Sequence, residues 1–433
     1  MAIEFKINDF FFPLELWRLK TSLDKSQWLP ADRLGEHQSR LLKTVVSHAY
    51  AHVPYYRQLF DKLDLTPSDI QNAGDLKKIP TLKKSDIKKN FKVLTADNAP
   101  QFLPRLCRTS GTTGEPVEFL QDKPSNILEF CYYWRYWSWA GYVLGSPFAE
   151  LTLYHFLNTD INAVADHAPM TNRLMLNPAQ LSLKNMDAYA SAFKKYRPQF
   201  LKGSPSSVFV LASLLEKKGT GTLPLKAVFT TGELLLPHQR KKIESIFQSK
   251  VLDSYGQMER TTAICQCPLG HYHINSDYGV LEIDKGRVVG TSLYNFAMPL
   301  LRYELNDTIE IPAGGQACAC GRGLPVCKNI IGRSQDALVT ADGRFLTNVF
   351  ILFDILQNVS WAQIVQDTVD KIRIRLVRDQ DFCESNLQEF KRELRLLTGP
   401  RSEIDIEYLP ETALSSLLLQ KYKPVISSVQ NQL

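Results

Sequence analysis

Apolar residues recur at helical spacing early in the chain: Leu34, Leu41, Leu42, Val45, Val46 and Ala49 share one face of a stretch free of Gly and Pro after Gly35. This predicts helices between residues 30 and 95, with turns at Pro54 and Pro80. From 100 to 330 short apolar runs such as Ala149 to Tyr154, Leu225 to Thr230 and Gly279 to Ile283 alternate with helical stretches, the pattern of a layered α/β domain. Phe130-Cys-Tyr-Tyr-Trp-Arg-Tyr-Trp-Ser-Trp139 predicts one helix with aromatics all round, suited to a core or to the wall of an apolar pocket. After Gly332 the texture changes. Ile372, Ile374 and Leu376 alternate with arginines as in a half-exposed strand, and Ile404, Ile406 and Tyr408 do the same. Between them Ser385 stands three residues before Gln388, a capping-box spacing that predicts a helix start, with its end before Gly399-Pro400. The expected fold class is α/β: a large multi-layer domain followed by a small α+β domain of about 100 residues.

Composition narrows the function classes. The 433 residues carry 51 basic and 45 acidic side chains, a net charge of +6 too mild for a nucleic-acid binder. The lysines at 77, 78, 83, 84, 88, 89 and 92 read as a solvated helix face. The N-terminus lacks signal-peptide features, and no run approaches the roughly 18 apolar residues of a membrane span. A cytoplasmic protein with no membrane span is expected. Cys265, Cys267, Cys318, Cys320 and Cys327 cluster in one region, which in such a chain favours metal over disulfides. With His271 and His273 they offer two groups of soft ligands about 50 residues apart, able to close a tetrahedral Zn2+ site.

Thr109-Ser110-Gly111-Thr112-Thr113-Gly114 packs hydroxyls and glycines between two expected strands, Leu103 to Cys107 and Val117 to Leu120. Glycines let backbone N–H groups approach phosphate oxygens, and hydroxyls donate further bonds. With no following Lys and helix this is not a Walker A loop; a mobile clamp over a triphosphate is the alternative. Here the sequence resembles the adenylate-forming enzymes, in the branch of phenylacetate–coenzyme A ligases and capsular-polysaccharide (CapK-like) proteins. The likeness runs from Leu41-Leu-Lys-Thr-Val-Val-Ser-His-Ala-Tyr-Ala-His-Val-Pro-Tyr-Tyr56 to Lys421-Tyr-Lys-Pro-Val-Ile-Ser427.

The resemblance implies an ATP-dependent ligase that joins a small carboxylate to AMP, releases pyrophosphate, and passes the acyl group to coenzyme A or another thiol, amine or hydroxyl acceptor. It also implies a place in surface-polysaccharide biosynthesis. Thr231-Gly232-Glu233 and Ser254-Tyr255-Gly256-Gln-Met-Glu259 resemble the segments that hold adenine and the α-phosphate, Tyr255 stacking on the base and Glu259 binding Mg2+. Asp307 resembles the ribose-binding carboxylate and Arg333 its partner across the ribose. Lys421 would be the catalytic lysine, with Thr113 and Glu259 the other catalytic candidates. The large domain would cover 1–333 and a mobile domain 334–433, with a hinge at Asp336. The branch's structural zinc maps to Cys267, His273, Cys318 and Cys320. The family usually has Thr at Met258, Arg at Glu304 and Gly at Gln420, departures that leave either an altered activity or compensation by Thr261 and nearby groups. Two other readings share these residues: an adenylyltransferase that leaves AMP on a hydroxyl, and a homologue without turnover.

Overall fold

The computed structural model describes residues 13–108, 117–305, 307–312, 317–331, 337–346, 349–356, 359–378, 382–410, 413 and 423–429. Four helices come first: α1 (Pro13–Ser26), α2 (Ala31–His52), α3 (Pro54–Lys62) and α4 (Lys84–Leu94). The stripe expected on α2 is buried at Leu34, Leu42, Val45, Val46 and Ala49. Pro54 opens α3 at its first position, where a missing N–H costs nothing. Lys77, Lys78, Lys83, Lys88, Lys89 and Lys92 face solvent.

Strands β1 (Arg105–Arg108) and β2 (Glu118–Gln121) form an antiparallel hairpin. Helix α5 (Lys123–Ser138) follows, its first turn capped by the Asp122 carboxylate, which accepts from Ser125 N at 2.9 Å. Then come β3 (Phe148–Leu151), α6 (Leu153–Leu157), β4 (Ala165–Ala168), β5 (Arg173–Leu176), α7 (Met186–Tyr196), β6 (Phe200–Gly203), α8 (Pro205–Lys218), β7 (Ala227–Thr231), α9 (Pro237–Phe247), β8 (Val251–Gly256), β9 (Ala263–Gln266) and β10 (Tyr272–Ile274). With β15 (Val326–Cys327) these strands build a nine-stranded sheet in the order β15-β10-β9-β8-β7-β6-β3-β5-β4. Its centre, β8 to β5, is parallel, and both flanks are antiparallel. Buried on both faces, the central strands read as short apolar runs rather than alternating ones.

The aromatic face of α5 is core. Tyr133, Tyr136 and Trp137 are buried against Phe148, Phe200 and Phe229 from the sheet. The same layer holds Glu150, whose carboxylate bonds Lys202 Nζ at 2.8 Å and Arg173 Nη1 at 2.7 Å. Burial alone would raise this carboxyl, but the two cations overcome that and hold it at about 2.

The expected α/β alternation stops at β8. From Ala263 to Ile331 the described residues form only strands and loops, with β11 (Gly279–Asp284), β12 (Arg287–Ser292) and β13 (Tyr303–Glu304) in a three-stranded sheet and β14 (Thr308–Glu310) paired with β16 (Asn329–Ile331). Tight turns at Lys285-Gly286 and Gly270 reverse the chain between strands, and such turns join antiparallel pairs without a helix.

The C-terminal part has a small hairpin, β17 (Leu338–Val339) and β18 (Phe345–Leu346), and a four-stranded sheet in the order β21-β20-β19-β22. Its strands are β19 (Val359–Gln366), β20 (Lys371–Arg378), β21 (Glu403–Tyr408) and β22 (Val425–Ser427), with α10 (Glu384–Thr398) packing Leu387, Phe390, Leu394 and Leu397 beneath. The fold is thus a large α/β domain with a small sheet-and-helix domain. Helix α10 begins two residues earlier than the capping-box spacing implies: Cys383 is the N-cap, no side chain caps it, and Ser385 Oγ instead lies 3.0 Å from Cys383 Sγ. The hairpin touches both parts, through Phe345 N to Leu181 O at 2.8 Å and Val339 N to Gln366 Oε1 at 2.9 Å.

Candidate functional site

In open sheets with a parallel centre, ligands bind beyond the carboxyl ends of the strands. Strands β7 and β8 run in register with Thr231 beside Ser254, so Gly232-Glu233 leave the sheet beside Tyr255 and Gly256, which end β8 paired with Ile264 and Ala263 of β9. Gly232 takes a φ of +88°, open to glycine and strained for other residues. The Glu233 carboxylate accepts from Ser206 N at 3.1 Å and Ser206 Oγ at 2.9 Å, bracing the first turn of α8. Ser254 Oγ donates to Thr230 O at 3.0 Å. Next to it Asp253 is fully buried, accepting from Thr230 Oγ1 at 2.6 Å and Tyr272 at 2.9 Å. Burial outweighs those bonds and pushes its carboxyl up to about 6.

Tyr255 donates its phenol to Asp307 Oδ2 at 2.9 Å, joining residues 52 apart in sequence. The buried Glu259 accepts from Tyr303 at 2.7 Å through Oε1. Glu304 pairs with Arg287 at 2.7 Å. Met258 leaves its carbonyl to Gln121 Nε2 at 2.7 Å, tying β2 to the Glu259 segment. Thr261 is wholly buried, and a Cβ on Gly290 would stand 2.2 Å from its hydroxyl, so it packs beneath the sheet of β11 and β12. Thr109, Ser110, Gly111, Thr112, Thr113, Gly114, Arg333, Asp336, Gln420 and Lys421 lie outside the described residues. The strands flanking the loop are held by an Arg108–Glu118 ion pair at 2.6 Å.

A second cluster lies at the other end of β9 and β10. The ligand atoms of Cys267, His273, Cys318 and Cys320 all fall within 4.8 Å of one another. Cys267 and Cys318 sulfurs are 3.8 Å apart, the edge of a tetrahedron with metal–sulfur bonds of about 2.3 Å. His273 Nδ1 lies 3.0 Å from the Leu324 carbonyl, which fixes the proton there and leaves Nε2 free to ligate, 3.4 Å from Cys320 Sγ. The donor set fits a tetrahedral zinc. Of the spare candidates, His271 Nδ1 is 3.3 Å from Cys318 Sγ, whereas Cys265 accepts from Asn275 Nδ2 at 3.2 Å.

Sequence reasoning passed over Arg260, Asn126 and Tyr303. Only Arg260 had a signal there, its place next to Glu259; the others touch the site through contacts across 134 and 44 residues.

No family model matches the chain. It is 22% identical to Protein CapK of Staphylococcus aureus over 392 residues, 87% of this chain and 86% of that one. It is 25% identical to phenylacetate-coenzyme A ligase of Escherichia coli over 347 residues, 74% of this chain and 75% of that one. Among solved structures, 2-hydroxyisobutyryl-CoA ligase in complex with 2-HIB-AMP and CoA superposes with a TM-score of 0.58 at 17% identity, over 93% of this chain and 92% of that one. At that identity the match bears on the fold. Fold and relatives together make the chain similar to the adenylate-forming enzymes, and among them to the phenylacetate–coenzyme A ligases and CapK.

Proposed function

We propose that the protein is an ATP-dependent, AMP-forming ligase that activates a small carboxylic acid as its acyl-adenylate and transfers the acyl group to coenzyme A. The observation that carries this is the bond between Tyr255 and Asp307 at the strand ends, beside a Glu259 held by Tyr303. That arrangement sets a ring, a part-buried carboxylate and a buried carboxylate close together at the ends of the strands. They suit a base, a ribose and a phosphate-bound Mg2+ respectively.

In the reaction, a carboxylate oxygen attacks the α-phosphorus and the bond to pyrophosphate breaks; the thiolate of coenzyme A then attacks the acyl carbon and AMP leaves. Asp307 accepts both ribose hydroxyls and Arg333 contacts the ribose from the other side. Glu259 is the residue that would hold Mg2+, which when bound neutralises charge on phosphate oxygens. Lys421 adds a cation near the carboxylate and α-phosphate, and the loop with Thr113 donates hydrogen bonds to phosphate. Catalysis then rests on positioning and fixed charge. Cys267, His273, Cys318 and Cys320 hold a structural zinc. The likeness to CapK extends the proposal to surface-polysaccharide biosynthesis.

The test is pyrophosphate release by the full chain across a panel of aryl, acyl and amino acids, with and without coenzyme A. Release that needs an acid, with acyl-coenzyme A as product, is expected. AMP left on a hydroxyl compound, or ATP binding without turnover, would overturn the reading.

A further inference from the structure

Two arginines converge on Asn126, one of them next to Glu259 in the chain. Arg105 on β1 donates through Nη2 to Gln121 Oε1 at 3.1 Å and Asn126 Oδ1 at 3.0 Å. Arg260 donates through Nη1 to the same Asn126 oxygen at 2.7 Å. The two guanidiniums are therefore held within about 6 Å of each other by one neutral oxygen, where like charges repel. The carboxylate beside them is Glu129, with Oε2 3.8 Å from Arg260 Nε, and that oxygen already accepts from Tyr278 at 2.5 Å.

Arg260 itself is 4% exposed, and its Nε has no hydrogen-bond partner among the described residues. Its backbone is left-handed, φ +53°, a conformation that costs energy in a residue with a side chain and that recurs at functional sites. Gln121 bonds both Arg105 and the Met258 carbonyl, so the hairpin that carries the Thr109–Gly114 loop and the segment that carries Glu259 are one unit at this point. A buried cation whose Nε has only the Glu129 carboxylate at 3.8 Å, a second cation meeting it at Asn126, and a left-handed backbone at Arg260 together leave more donors than acceptors here, a place suited to an anion.

We infer that Arg105 and Arg260 form an anion site for the pyrophosphate portion of ATP, receiving the negative charge that develops as the bond to the α-phosphorus breaks. The inference rests on the proposed adenylation.

The test is calorimetric binding of two probes to the full chain with Mg2+ present, inorganic pyrophosphate and AMP. Arg260→Met and Arg105→Met should each weaken pyrophosphate at least tenfold and change AMP less than twofold, with Arg260→Lys intermediate. Equal losses for both probes would make these residues structural and overturn the inference, as would pyrophosphate binding unchanged in both variants. If Arg260→Met does not fold, Arg105→Met on its exposed strand carries the same test. Wild type that binds AMP but not pyrophosphate sinks this inference alone; wild type that binds neither AMP nor ATP sinks the adenylation reading with it.

Discussion

Asp253 lies on β8 just before Ser254 and Tyr255, and its carboxyl is raised from 3.8 to about 6, chiefly by burial. Below pH 4 the folded and unfolded chains both hold this proton, so it does not affect stability. Between about 4 and 6 only the folded chain keeps it, so stability falls as pH rises through that window, by about 3 kcal/mol in all, and is level above it. Asp253→Asn should remove this slope: the stability of wild type relative to the variant, from urea unfolding at stepped pH, should decline between pH 4 and 6. A flat difference would contradict the assignment. Glu150 has the opposite sign, held ionised by Lys202 and Arg173. Glu150→Gln leaves two buried cations without a counter-charge and should cost about 3 to 5 kcal/mol. At this scale Tyr255, Glu259 and Asp307 were nameable from the resemblance, and the structure joins the first and last of them through one hydrogen bond. Arg260 and Asn126 were not, because their meaning lies in a shared contact across 134 residues that no local pattern encodes.

The helices and strands with strong periodicity were legible, α2 and the alternating β20 among them, and so was the aromatic α5. The antiparallel run from β9 to β16 was not, since short buried strands joined by tight turns give the same apolar runs as strands joined by helices. In that region the loop 318–324 does more than present cysteines. Gly323 N donates to Gln27 O at 2.9 Å, and Arg322 stacks over Trp28 and Trp139 at 4.9 and 4.1 Å, so the loop grips the turn between α1 and α2. A Cβ on Gly323 would lie 1.7 Å from the Leu29 carbonyl. Gly323→Ala should push that turn away and lower the melting temperature by several degrees. Cys318→Ser should take metal content from about one equivalent of zinc to under half, and raise hydrogen exchange in the α1–α2 turn. Less than half an equivalent in wild type, with no further drop in the variant, would reject the zinc.

Across the whole molecule the expected order of a large α/β part and a small sheet-and-helix part was visible from the change of texture after Gly332. The sequence did not foretell that the hairpin of β17 and β18 would bond both to Leu181 and to Gln366, because two residues per strand carry no periodic signal. If Lys421 acts only while the small domain is docked for the first half-reaction, Lys421→Ala should slow adenylate formation by about a hundredfold or more. Thioester formation from a synthetic acyl-adenylate should then change far less. Stopped-flow measurement of each half separates the two, and equal losses in both would refute a domain-dependent role. The central proposal, that Tyr255, Asp307 and Glu259 belong to a site that transfers AMP to a carboxylate, is tested most directly by isotope exchange between pyrophosphate and ATP. The account predicts exchange that requires an added acid, proceeds without coenzyme A, and falls at least tenfold in Glu259→Gln with the fold intact. Exchange that is absent for every acid, or indifferent to acid and to Glu259→Gln, would contradict it.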